Sequence, residues 1–271
     1  MNVCVEISRT VMAKSKKNPS RINQPLVRSP RIHSTYRMTA EGLRIIKKLE
    51  SIAQESFNTQ QRLYAVHPNW IETDARITVF SKLYKGLTTV MLSVVFIENS
   101  LQDDMWWKKS FPNLTPHDIE TNKYNFVRST KHNFGMLLFI LVENKFRIFL
   151  RAIDPLACSG GTEAFESIYT CLLRSKLSNP PPEAFELLEL IRLVRNTIHN
   201  DGVYLHKKGS DDVVTYKGVD YAFHNGKPIQ FVTWEFLLML ATDLQNLFAE
   251  IISDKVMAEI NGNIIDPTYN A

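Results

Sequence analysis

Glycine and cysteine are both scarce in this chain. Ten glycines are spread over 271 residues, and none falls into GxGxxG, GxxxxGK[ST] or GxSxG. The phosphate-cradling loops and the nucleophile elbow therefore lack their residues, and no HExxH metalloprotease helix is present either. The three cysteines, Cys4, Cys158 and Cys171, are odd in number and show no CxxC or Cys/His ligand spacing. Neither a disulfide framework nor a structural zinc site is indicated, so the thiols read as small core or loop residues. Long apolar runs are missing too. The longest, residues 134–142 interrupted by Gly135 and residues 90–97, fall far short of the roughly 20 residues that cross a bilayer. No membrane span or membrane partner is expected, and the cytoplasm is the expected compartment. Acidic residues are nearly absent from one region: residues 1–40 hold eight Lys and Arg against Glu6 alone, a charge of +7. The rest of the chain then carries 24 basic and 27 acidic residues, or −3.

What is present is an ordinary globular composition, 44% hydrophobic and 22% charged, in a chain long enough for a substantial core. Residues 1–37 read as a basic, flexible N-terminal arm, because Pro, Ser and Asn interrupt every periodic pattern. Residues 38–258 read as a single helical domain and 259–271 as a loose C-terminal tail. The expected fold class is mainly α, a helical bundle with a small antiparallel β-hairpin or meander inserted before the last helix.

Thr39 is the expected N-cap of a first amphipathic helix ending near residue 66, and a second helix runs from about Ile71 to Glu98. Residues 99–114 read as a loop carrying Trp106 and Trp107 beside Lys108 and Lys109, where aromatics among cations either stack bases or pack the loop onto the body. Thr115, Pro116 and Asp118 restart a helix, and a long helix is expected from about Ser129 to Ile153. Within it, Glu143 and Arg147 form an i, i+4 pair on an apolar background, read as a desolvated ion pair or as support for a site. After residues 179–182, rich in proline, comes another helix. Residues 213–232 then alternate as strands, with Asn225-Gly226 the strongest hairpin signal. Thr233 caps the last helix.

The segment from Arg192 to Gly202 gathers the most chemistry. On a helix, Arg192, Arg195 and His199 fall within a stripe of roughly 60° beside the apolar Leu187, Ile191, Val194 and Ile198, and Asn200-Asp201-Gly202 supplies a left-handed stop. Two guanidiniums and an imidazole on one stripe suit phosphate binding and proton transfer. They are equally explained as surface arginines paired with Glu186 or Glu189 and a cation at a helix terminus.

The run Arg195-Asn196-Thr197-Ile198-His199-Asn200-Asp201-Gly202, on the penultimate helix of an all-α domain, resembles the signature of the HEPN superfamily of helical domains. The resemblance covers about residues 115–258. It implies a metal-independent endoribonuclease in a defence or toxin-like setting, with His199 as general acid/base, Arg195 or Arg192 on the scissile phosphate and Asn196 orienting the site. Glu143, Arg147 and Asn200 would support these residues. The family's pattern places four to six residues between arginine and histidine, with a polar residue directly after the arginine. Arg195 has the following Asn but only three residues before His199, whereas Arg192 has six but is followed by Leu193. The resemblance further implies a homodimer, RNA or a nucleotide as ligand, an antitoxin-like protein partner, and no cofactor or metal. Members without catalysis serve as dimerisation or ligand-binding modules, and that reading stays open.

Overall fold

A computed structural model describes residues 38–269. The described residues all belong to one compact unit, and the basic arm read at residues 1–37 lies outside them. The fold is mainly helical with one two-stranded antiparallel sheet. In chain order it runs α1 (Ala40–Val66), α2 (Ala75–Phe96), α3 (Asp104–Ser110), α4 (Pro116–Ile153), α5 (Cys158–Gly161), α6 (Phe165–Cys171), α7 (Ala184–His199), β1 (Asp212–Tyr216), β2 (Val219–Phe223), α8 (Trp234–Ser253) and α9 (Lys255–Ala258). Single π-turns at residues 97–101 and 172–176 extend α2 and α6.

The caps define the helix starts. Thr39 Oγ1 accepts from the Gly42 N–H at 2.9 Å, and at α4 Thr115 and Asp118 exchange side-chain and backbone bonds as a capping box with Pro116 at the first position, satisfying donors that have no partner within the helix. The two helical segments expected at residues 115 and 129 are one helix of 38 residues. It is the central strut, and its Phe146 and Phe149 meet Phe248 of α8 at ring-centroid distances of 6.2 and 6.5 Å.

Two helical stretches, Ala75–Leu101 and Trp234–Ser253, are long and apolar enough to cross a membrane by length and composition only, a test that the core helix of a soluble protein also passes. In α8, 67% of the apolar window is buried inside the protein, and in the α2 stretch 39%. Dispersed threonines, serines and single charges hid this apolarity from a search for uninterrupted runs.

The tryptophan loop is instead the short helix α3. Trp107 is buried and its indole N–H donates to the Leu101 carbonyl at 2.9 Å, while Trp106 meets Phe96 edge-on at 5.6 Å. The pair packs this segment onto α2 and α4.

The sheet is smaller than the expected meander. Its tight turn is Lys217-Gly218, both with positive φ (49° and 73°), the backbone that matches strand twist. Asn225-Gly226 closes a different loop, in which the Gly226 N–H donates to the Tyr204 carbonyl at 2.7 Å. The expected third strand is reduced to an isolated bridge between Val203 and Pro228. Proline has no N–H to extend a ladder.

The C-terminal segment is not a loose tail. Ile265 bridges to Asp74, and the Ala75 and Asp266 amides donate to the Ile264 and Thr73 carbonyls at 2.6 and 2.9 Å. Lys145 of α4 pairs with Asp266, both side chains fully buried, beside a second buried pair, Arg76 with Asp74. Arg76 also donates to the Met257 and Gly262 carbonyls and lies over the Trp70 ring at 3.7 Å.

Candidate functional site

Helix α7 enters after Glu183, whose φ is 58°, and buries Leu187, Leu190, Ile191 and Val194 against the body. It stops as the sequence indicated. Asp201 and Gly202 take φ values of 55° and 86°, and the Gly202 N–H returns to the Thr197 carbonyl at 2.7 Å, satisfying carbonyls of the last turn.

α4 lies alongside α7 in the opposite direction, with three rungs between them. The Arg195 guanidinium sits over the Phe139 ring at 4.8 Å. Ile198 closes on Gly135, where a Cβ would come within 3.1 Å of its Cδ1. Arg128 Nη2 donates to the Asp201 carbonyl at 2.8 Å and carboxylate at 2.6 Å. Glycine at position 135 is what lets the two helices approach this closely.

The stripe of Arg192, Arg195 and His199 is divided by its surroundings. Arg192 donates to both oxygens of Glu189, Nε at 2.7 Å and Nη2 at 2.5 Å, and the Tyr169 hydroxyl from α6 donates to the same carboxylate at 2.7 Å. Burial works against charge on Glu189, but the bonds from Arg192 and Tyr169 outweigh it and hold the carboxyl below its ordinary pKa. The Glu189 bond in turn raises the pKa of Arg192. This guanidinium is thus neutralised in place, with Glu166 3.9 Å away as well.

Arg195 differs. It is half-buried, donates from Nη1 to Asn196 Oδ1 at 3.2 Å, and has no carboxylate partner among the described residues. Its Nε is buried without a hydrogen-bond partner there. His199 is exposed, and no hydrogen bond or ion pair is made by its ring among the described residues. Asn196 is positioned by Arg195, and Asn200 Nδ2 donates to the Asn196 carbonyl at 2.9 Å, so Asn200 acts as a helix-end cap.

Glu143 and Arg147 serve another place. They pair at 2.5 Å, and Arg147 Nη1 donates to the Gly161 and Glu163 carbonyls at 2.6 and 2.8 Å. The pair ties α4 to the end of α5, a single turn in which Cys158, Ser159, Gly160 and Gly161 all have positive φ, and to the residues that lead into α6. It makes no polar bond with Arg192, Arg195 or His199.

Sequence reasoning missed the contribution of α4. Arg128 and His132 are four residues apart and so share a helix face. Burial, and then the neighbouring Arg128, push the His132 imidazole below its ordinary pKa, opposed by Asp201. The signal available was the basic i, i+4 spacing at 128 and 132. Among the described residues no group of three or more His, Cys, Asp or Glu is placed to hold a metal ion.

The joint surface of α7 and α4 thus offers an exposed imidazole at His199, a second imidazole at His132 whose charged form burial disfavours, and the guanidinium of Arg195, while Asp201 takes up Arg128. This set can contact phosphate and move a proton. No protein-family model, no curated protein and no solved structure matches this chain.

Proposed function

We propose that this chain is a HEPN-like helical protein that binds RNA phosphate on the joined surface of α7 and α4 and cleaves the strand there. The observation that carries the reading is the separation within the stripe. Glu189 takes up Arg192, while Arg195 and His199 are left with no carboxylate partner among the described residues. Arg195 is also the arginine that Asn196 follows, so the residue with the polar neighbour is the one available to a phosphate.

Cleavage requires the RNA's own 2′-hydroxyl to attack the adjacent phosphorus, with a proton leaving that hydroxyl and another reaching the departing 5′-oxygen. His199 is the group for proton transfer, because its exposed ring makes no hydrogen bond among the described residues and an imidazole both gives and takes a proton. Arg195 answers the negative charge that grows on the phosphate oxygens. Defence or toxin-like use, a homodimer that brings two such surfaces together, and an antitoxin-like partner belong to the same proposal.

The commitment of Arg192 to Glu189 and Tyr169 favours a second reading, a HEPN-like module that binds RNA or nucleotides without cutting. Incubation of the purified full chain with a labelled RNA oligonucleotide in EDTA decides between them. Cleavage that falls about 100-fold or more in His199→Ala, with RNA affinity kept, supports the ribonuclease. Binding weakened by Arg195→Ala in a protein that never cleaves supports the module. RNA that is neither bound nor cut overturns both.

A further inference from the structure

Away from that surface, a groove of about 610 Å3 runs between α6, α7 and the hairpin. Its hairpin wall is Val213, Val214 and Thr215 of β1, and the register shows which of their backbone groups point away from β2. Tyr216 pairs with Val219 across the two-residue turn, and Val214 with Tyr221. In such a hairpin the pair flanking the turn exchanges both hydrogen bonds, and bonded and non-bonded pairs alternate from there. Val214 and Tyr216 therefore aim their N–H and C=O at β2, while Val213 and Thr215 aim theirs at the opposite edge. Among the described residues no bond from outside the hairpin reaches these four groups. An unpaired edge is a template for another strand, and five residues of edge span about 17 Å.

The opposite wall states what that strand should carry. Tyr169 and Phe185 give it an aromatic floor. Of its three carboxylates, Glu189 is committed to Arg192, Glu166 is 61% exposed and reaches Arg192 only at 3.9 Å, and Glu186 has no ionic partner among the described residues. Against these stands Arg174, over the Phe185 ring at 4.5 Å. Two carboxylates against one guanidinium leave the wall acidic. Val213, 60% exposed, adds an apolar contact beside the free edge.

We propose that the free edge of β1 and the facing groove form a docking site for an extended segment of another protein, added as a third strand with basic and apolar side chains in alternation. Main-chain bonds to Val213 and Thr215 would supply affinity, and Glu166 and Glu186 would select basic residues. The site shares neither His199 nor Arg195 with the RNA surface, so the two proposals stand or fall separately.

The test is fluorescence anisotropy of the full chain with a labelled seven-residue peptide of alternating Lys and Val. Controls are the same peptide N-methylated at alternate residues and a Glu/Val version. Saturable binding is expected, weakened about tenfold or more by N-methylation, by the Glu/Val peptide, and by the Glu166→Gln/Glu186→Gln double variant. Val213→Pro removes one edge N–H that the hairpin does not use and should weaken binding equally while leaving the circular dichroism spectrum unchanged. The proposal is overturned by absence of saturable binding up to about 1 mM, or by binding indifferent to N-methylation. A wild-type dimer in sedimentation that Val213→Pro dissolves would also overturn it, since the occupant would then be a second copy of this chain.

Discussion

Replacing Asp266 with Asn tests whether the C-terminal segment is part of the folded body. The Asp266 carboxylate is fully buried. One oxygen accepts from Lys145 Nζ and from Thr78 Oγ1 at 2.7 Å, and the other accepts from the Thr268 amide and hydroxyl at 2.9 and 2.8 Å. Burial, and behind it the charge of Lys82, lowers the Lys145 pKa to about 8 against the pull of Asp266. Asp266→Asn keeps the shape but strands an ammonium in the interior with a hydroxyl for company. Removing one partner of a buried pair costs about 3–5 kcal/mol, a large part of the roughly 5–15 kcal/mol that holds a protein folded.

The assay is urea denaturation followed by far-ultraviolet circular dichroism, with Lys145→Met/Asp266→Leu alongside. The double replacement removes both charges and should cost far less than the single one. A loss below about 1 kcal/mol in Asp266→Asn, the range of a solvent-exposed pair, would refute docking of the segment. pH supplies an internal check. Burial pushes the Asp266 carboxyl up, but bonds from Lys145, Thr78 and Thr268 outweigh it and hold it well below the usual carboxylate range. A carboxyl with a depressed folded pKa stabilises the fold above its unfolded value, near 3.9, and loses that contribution as pH falls towards its folded value. Wild-type stability should therefore drop from about pH 5 to pH 2, and Asp266→Asn should drop less.

Arg192→Ala leaves Glu189 half-buried without its guanidinium and should cost about 1–3 kcal/mol with RNA affinity unchanged. Arg195→Ala should instead weaken RNA binding and reduce the salt dependence by about one phosphate contact. Filter binding at several salt concentrations separates the two, and equal losses would show that Glu189 does not sequester Arg192. Gly202→Ala introduces a Cβ that meets only Arg128 Nη2 at 3.8 Å, so its cost is conformational, about 1–2 kcal/mol from the left-handed backbone. A melting temperature equal to that of the wild type would place the end of α7 elsewhere.

Helix ends and helix faces were the most legible features. Thr39, Thr115 and Thr233 all cap where their side chains and the following periodicity indicated, because a cap bond reaches only two or three residues along the chain. The stop at Asn200-Asp201-Gly202 was legible for the same reason. The Asn225-Gly226 signal failed because a dipeptide fit for a tight turn says nothing about whether two strands flank it. Here Tyr204 captured the Gly226 amide, and the tight turn went to Lys217-Gly218. The tail was misjudged because its apolar spacing is irregular, while its anchors, Lys145 and Asp74, lie more than a hundred residues away.

The candidate site divides along the same line. The amino-acid sequence by itself determined that Arg192, Arg195 and His199 share one helix stripe and that Glu189 lies one turn from Arg192. Both follow from 3.6 residues per turn. Only the tertiary structure decided which arginine is spent, by bringing Tyr169 of α6 onto Glu189, and which is left, by laying Arg195 across Phe139 of α4. It alone placed Arg128 and His132 beside the end of α7 and brought β1 to the same groove as Glu166 and Glu186. A charged side chain's state depends on what else is within a few ångströms, and for these residues those neighbours arrive from other helices.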